Sequence, residues 1–205
     1  IITTFGDRLN VPGSSSSLVR ERAAGADIRT VYSPLDALAI AQKNPDNKII
    51  FLAVGFETTS PTIAGTIIEA QQRNVSNFVI SCAHKRMPPA MQLLVEDPEL
   101  HIDGFICPAH VSAIIGSAAY EFLASDYTKP CVITGFEPLD ILQGILMLLQ
   151  QIANKAPRVE TQYSRVVKQQ GNTTALKLVA EVFVTSDSSW RGLGLVPQSG
   201  LALSG

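Results

Sequence analysis

One short turn occurs twice in this chain, and nothing else in the sequence limits the fold so sharply. Gly55-Phe56-Glu57 follows an apolar run and is followed by Pro61, Gly65, Ile67 and Gln71-Gln72. Gly135-Phe136-Glu137 follows a run of similar character, with Pro138, Gly144, Ile145 and Gln150-Gln151 at nearly the same offsets. A strand, a Gly-Phe-Glu turn and a helix opened by proline, present in two copies, point to a duplicated supersecondary unit. Short β-branched or apolar runs at 29–32, 48–54, 77–81, 104–107 and 131–134 alternate with helical patterns, the signature of parallel strands joined by crossover helices.

The expectation is therefore an α/β chain. It has two similar Rossmann-like lobes with parallel sheets flanked by helices, related by the internal repeat, and a mixed C-terminal segment. The repeat divides the chain into a first lobe at 1–74, a second at 75–152 and a connecting segment at 153–205. Ser33-Pro34-Leu35-Asp36 opens a helix, with serine as cap, proline in the first turn and aspartate reaching back; Asn44-Pro45-Asp46-Asn47 stops it. Further helices are predicted after Pro61, Pro89, His110 (to about 124) and Pro138, and over 174–182. Residues 139–149 read as an apolar helix face belonging to the core. The Ser/Gly-rich tail from 186 holds Trp190-Arg-Gly-Leu-Gly194, which lacks the third glycine of a dinucleotide fingerprint and follows no clean strand, so nucleotide binding there is rejected.

With 46% hydrophobic and 17% charged residues, the 205-residue chain is too apolar to be disordered. Sixteen Lys and Arg against eighteen Asp and Glu, without a basic stripe, give no electrostatic footprint for nucleic acid or an anionic membrane. The longest apolar stretches, 49–56 and 139–149, fall short of the roughly 20 residues that cross a bilayer. Three cysteines, Cys82, Cys107 and Cys131, suit a reducing compartment better than a disulfide framework, so a cytoplasmic location is expected. The opening Ile-Ile-Thr-Thr-Phe reads as the middle of a strand, which suggests a piece of a longer protein.

The chemistry-bearing candidates gather where strands end. Glu57 lies between an apolar strand and a helix. It either favours the positive N-terminus of that helix or offers a carboxylate, beside the hydroxyls of Thr58 and Thr59 and free backbone N–H groups, to a ligand in a crevice. Gly55 and Phe56 complete that turn. His84 and His110 each stand just past a strand, as structural hydrogen-bonding groups or as proton carriers. Pro108, Val111 and Ser112 surround the second of them. Cys82 and Cys107 precede those histidines at a spacing unlike paired Cys-x-x-Cys metal sites, and Cys131 reads as core.

Taken in order, these segments resemble the HypD family of hydrogenase maturation proteins. The resemblance runs through Thr4-Phe-Gly-Asp7, Val11-Pro-Gly-Ser14, Tyr32-Ser-Pro-Leu-Asp36, Gly55-Phe-Glu-Thr-Thr59, His84 with Pro88-Pro89, Pro108-x-His-Val-Ser112, Gly135-Phe-Glu-Pro-Leu-Asp140, Gln162-Tyr163 and Trp190-Arg-Gly-Leu-Gly194. It implies a scaffold on which the iron centre of nickel–iron hydrogenases receives cyanide and carbon monoxide, working with a small HypC-like chaperone and a HypE-like cyanide donor that acts with HypF. It also implies a [4Fe–4S] cluster and iron-handling cysteine motifs, none of which fall within these 205 residues. No metal ligand is assigned in this chain, and Glu57, His84 and His110 are the expected catalytic groups, lining a cleft between the lobes. Ser15 and Ser16 stand where the family more often has Arg-Gly. A self-contained α/β enzyme with Glu57 as base and a histidine as acid, acting on a small anionic substrate, and a non-functional fragment are the competing readings.

Overall fold

In the computed structural model, which describes residues 1–204, the chain forms two parallel sheets and one antiparallel hairpin. The first lobe runs β1 (Ile2–Phe5), α1 (Leu18–Ala23), β2 (Ile28–Val31), α2 (Pro34–Lys43), β3 (Ile49–Gly55), α3 (Ser60–Gln72) and β4 (Phe78–His84), with strand order β2-β1-β3-β4, all parallel. In β3 every second residue is buried, from Ile49 to Gly55, and Phe51 packs edge-on against Phe5 with ring centroids 5.3 Å apart. The opening of α2 is as predicted: Ser33 Oγ accepts from the Leu35 N–H, and the Asp36 carboxylate accepts from the Ser33 N–H, satisfying donors that the first helical turn leaves free.

The second lobe contains α4 (Met87–Glu96), β5 (Phe105–Pro108), α5 (Ala109–Ile115), α6 (Glu121–Ser125), β6 (Cys131–Thr134), α7 (Pro138–Ala153) and β7 (Val159–Thr161), with parallel order β5-β6-β7. Here the division at residue 74 differs from the structure: β4 pairs along its whole length with β3, so the first sheet extends through His84. The helix predicted from His110 to about 124 is broken. Gly116 takes φ 84°, ending α5, and a 3-10 turn at Ser117–Tyr120 precedes α6. The break has a packing cause, because a Cβ on Gly116 would lie 2.2 Å from the Gln169 carbonyl oxygen. Backbone bonds from Ser117 to Lys168, Ala118 to Gln169 and Asn172 to Ile114 tie the connecting segment to this point.

The expectation that residues 139–149 form core is overturned. Leu139, Leu142, Leu146 and Leu149 are 56–66% exposed, and the side of α7 turned toward the protein carries Asp140, Gly144 and Gln151 instead. Polar ties hold this helix. Gln151 donates to Glu160 at 2.7 Å and accepts from the Arg158 N–H at 3.0 Å, and Asp140 accepts from Gln162 at 2.8 Å. Gly144 lets α7 lie directly on β6, since a Cβ there would come within 2.1 Å of the Thr134 methyl.

After β7 come α8 (Thr173–Val182), β8 (Phe183–Trp190) and β9 (Gly194–Leu203), the last two antiparallel. The tail read as Ser/Gly-rich and lacking a clean strand is thus a hairpin, with Trp190-Arg-Gly-Leu-Gly194 as its turn. Its small residues face a tight neighbour: a Cβ on Gly200 would meet the Ser188 Cβ at 2.8 Å. The hairpin folds back onto the first lobe, where the Arg86 N–H bonds to the Ser199 carbonyl at 2.7 Å and Phe183 joins the core with Val31, Phe51 and Ile63. No helix among the described residues is long and apolar enough to cross a membrane.

Candidate functional site

The strand order β2-β1-β3-β4 reverses direction between β1 and β3, and the crevice beyond the carboxyl ends of such strands is where open parallel sheets bind ligands. Glu57 stands there, in the turn between β3 and α3. Its turn is built locally: the Thr59 hydroxyl donates to the Phe56 carbonyl at 3.1 Å and the Ser60 hydroxyl to the Glu57 carbonyl at 3.2 Å. Gly55 is obligatory for this turn, because a Cβ would sit 2.2 Å from the Thr59 hydroxyl oxygen. Thr59 therefore holds the turn from within, its side chain leaving the helix N–H groups uncapped.

The Glu57 side chain is 7% exposed. One carboxyl oxygen, Oε1, accepts from the Met87 N–H at 2.7 Å, while Oε2 is buried without a partner. Burial raises its pKa above the ordinary carboxylate range, against the lowering effect of its backbone hydrogen bonds and of nearby Arg86. Such a group holds its proton to higher pH and can present either an acceptor or an O–H donor. It borders a cavity of about 350 Å³ whose other walls come from the second lobe and the C-terminal segment: Arg86 and Pro88 by α4, Ile114 and Ile115 of α5, Val179 of α8, and Phe183 and Leu201 of the hairpin. That size is at the lower end for small-molecule sites, and a mostly apolar lining with few polar groups is their usual character.

His84 lies beside this turn, opposite Gly55 in the β3–β4 register. It is 1% exposed and packed edge-on against Phe183; Nδ1 is 3.4 Å from the Cys82 sulfur and Nε2 has no partner. Burial lowers its pKa to about 4, so the imidazole is neutral at physiological pH. The Cys82 thiol, whose pKa burial also raises, bonds to the Leu201 carbonyl at 3.1 Å.

His110 belongs to the other sheet. It is exposed at the start of α5, with its ring 5.0 Å from that of Phe136, itself 64% exposed. Val111 and Ser112 are buried beneath it; the Ser112 hydroxyl donates to the Pro108 carbonyl at 2.8 Å and lies 3.2 Å from the Tyr120 hydroxyl. Of the three expected catalytic groups, Glu57 alone lines the cavity between the lobes. Thr58 is half-buried beside it, and Phe56, 6.0 Å from Trp190, points to the surface. Sequence reasoning missed Arg86 and the α8 and hairpin walls; the amphipathic pattern of 174–182 was the available signal that this segment covers something.

The residues present do not fit the [4Fe–4S] cluster that the resemblance implies, which takes four thiolates. Cys82 is in the first sheet and Cys107 and Cys131 are buried in the second, where a hydrogen bond with Cys131, then burial, raises the Cys107 pKa well above the usual thiol value. Among the described residues no group of three or more His, Cys, Asp or Glu side chains is placed to hold a metal ion.

Comparison with known proteins agrees with the motif reading. The family model HypD, described as "Hydrogenase formation hypA family", matches residues 1–205. The hydrogenase maturation factor HypD of Escherichia coli is 50% identical over 205 residues, covering 100% of this chain and 55% of its own length. That of Rhodobacter capsulatus is 48% identical over 204 residues, covering 99% and 54%, and that of Azotobacter vinelandii 46% over 210 residues, covering 99% and 55%. The chain thus spans about half the length of the curated relatives it matches.

Proposed function

This chain belongs to the HypD family of hydrogenase formation proteins, and from that premise we propose that it is the two-lobed body of a scaffold for assembling the iron centre of nickel–iron hydrogenases. The observation that carries the reading is the match along the entire chain, at 50% identity to a hydrogenase maturation factor. The iron, with the cyanide and carbon monoxide it acquires, is substrate on this reading; the thiolates that would grip it are not among these residues. A HypC-like chaperone and a HypE-like cyanide donor are the partners, and the cytoplasm is the location.

What this chain contributes is a sheltered cleft. Glu57, with one oxygen tied to Met87 and the other free, offers a hydrogen bond or a proton to a polar group brought between the lobes. The apolar walls from α5, α8 and the hairpin lower the local dielectric around the buried carboxyl, which strengthens that interaction. His84, neutral and buried, positions the β3–β4 edge beneath the turn and is not itself a proton donor near neutral pH. His110, with Phe136, gives the second lobe an exposed imidazole at the equivalent strand end.

The test is a chimera in which this chain replaces the 205 matching residues of the Escherichia coli relative, expressed in cells lacking their own HypD. Restored hydrogen uptake is the expected result. A soluble chimera at normal abundance that restores none would overturn the reading.

A further inference from the structure

Trp190 is the one tryptophan of the chain, and the proposed function gives it no part. It ends β8, where its indole N–H donates to the Ser199 hydroxyl at 2.7 Å. Ser199 is fully buried and is itself fixed, its hydroxyl donating to the Val196 carbonyl at 2.8 Å. It stands in a bulge: between the Ser188–Val196 and Ser186–Gly200 pairs of the hairpin, Asp187 alone faces residues 197–199. The Asp187 carboxylate accepts from the Gln198 N–H at 2.9 Å, and Gln198 takes φ 51°. The bulge leaves the Gln198 and Ser199 carbonyls outside the ladder, and Arg86 takes both, the first through its guanidinium at 3.0 Å and the second through its N–H at 2.7 Å. Lys85 grips the same hairpin through the Ser188 hydroxyl and, at 2.8 Å, the Ser189 carbonyl. The next residue along, Met87, gives its N–H to Glu57.

These contacts close a circuit. From Glu57 it passes through Met87 and Arg86 to Ser199, crosses to the Trp190 indole, and returns through the ring of Phe56, 6.0 Å from that of Trp190, to the residue beside Glu57. We propose that Trp190 is a positioning residue, bracing the Gly55-Phe56-Glu57 turn against the β4–α4 loop so that the Met87 N–H stays on Oε1 and Oε2 is the oxygen left for a ligand. A closed circuit constrains more than an open chain of the same contacts, because neither side can move without breaking a contact on the other. Glu137, the counterpart of Glu57 in the repeat, belongs to the other lobe and keeps a side chain 65% exposed. Trp190 serves maturation only if Glu57 meets a ligand in the cleft; its bracing of the turn is measurable on this chain alone, so the two can fail separately.

Hydrogen exchange of single amides, followed by two-dimensional NMR of the 205-residue chain, tests this. Trp190→Phe removes the indole N–H and keeps an aromatic ring, while Phe56→Leu cuts the circuit on its other side. Each should speed exchange of the Met87 N–H about tenfold or more and leave the Cys131 N–H of the second sheet, bonded to the Arg158 carbonyl, within about twofold. Both together should add less than about threefold, because a circuit once cut is already open. The Met87 amide proton shift should follow the Glu57 titration in the unsubstituted chain and do so about half as much or less in each variant. Unchanged exchange at Met87, equal acceleration at Met87 and Cys131, single effects that multiply, or a Met87 shift that follows Glu57 undiminished would each overturn the proposal.

Discussion

His84 and Glu57 show how much of the site is decided by burial of single side chains. Both types were expected at strand ends from the sequence, but their protonation was not legible there, because it depends on what α8 and the hairpin lay over them. The pKa of His84 falls from 6.5 to about 4 in the folded chain, so the unfolded state takes up the proton first as pH drops. Stability from this residue is complete above about pH 6.5 and is lost between there and about pH 4, on the order of 3 kcal/mol in all. Urea unfolding of the wild type and His84→Gln at pH 7.5 and 4.5 should show a smaller loss on acidification in the variant. An identical loss in both would place the titrating group elsewhere. Glu57 works in the opposite sense: its folded pKa is raised, so the stability it contributes is present below pH 4.5 and declines as pH rises through the folded value.

Among elements, α2 and α3 are where local sequence and structure agree most closely, through the Ser33–Asp36 capping box and the prolines of their first turns. The repeat itself was correct as a statement about strands and turns, yet its matched glycines do different things. Gly65, in the middle of α3, has nothing within 4 Å of where a Cβ would stand, whereas Gly144 in α7 would drive one into Thr134 at 2.1 Å. Gly65→Ala should therefore stabilise the chain by up to about 1 kcal/mol through helix propensity. Gly144→Ala should destabilise it by about 1–3 kcal/mol through overpacking. Denaturant midpoints of the two variants decide the matter, and equal shifts of the same sign would contradict it. Hydrophobic periodicity misread α7 for a related reason. A leucine stripe names an apolar face without saying what lies against it, and here the fully buried positions are a glycine and two polar side chains, with Met147 and Leu148 only partly covered.

At the level of the whole molecule, two parallel sheets were legible because alternation of strand and helix is a local property repeated along the chain. The closure of the cleft was not, because it depends on long-range contacts. Backbone bonds from Arg86 to Ser199 and from Asn172 to Ile114 bring the C-terminal segment over both lobes, and the residues that make them carry no pattern of their own. The hairpin thus turns a strand-end carboxylate into a buried one with a free oxygen, a cost in stability that a scaffold site can bear where it serves binding. Glu57→Gln keeps the acceptor for Met87 and removes the ionisable group, so the 205-residue chain carrying it should be more stable than wild type at pH 8. The most direct test of the account places the same substitution in the Escherichia coli chimera and measures hydrogen uptake. The account predicts at least a tenfold loss with the protein soluble and at normal abundance; uptake equal to that of the unsubstituted chimera would contradict it.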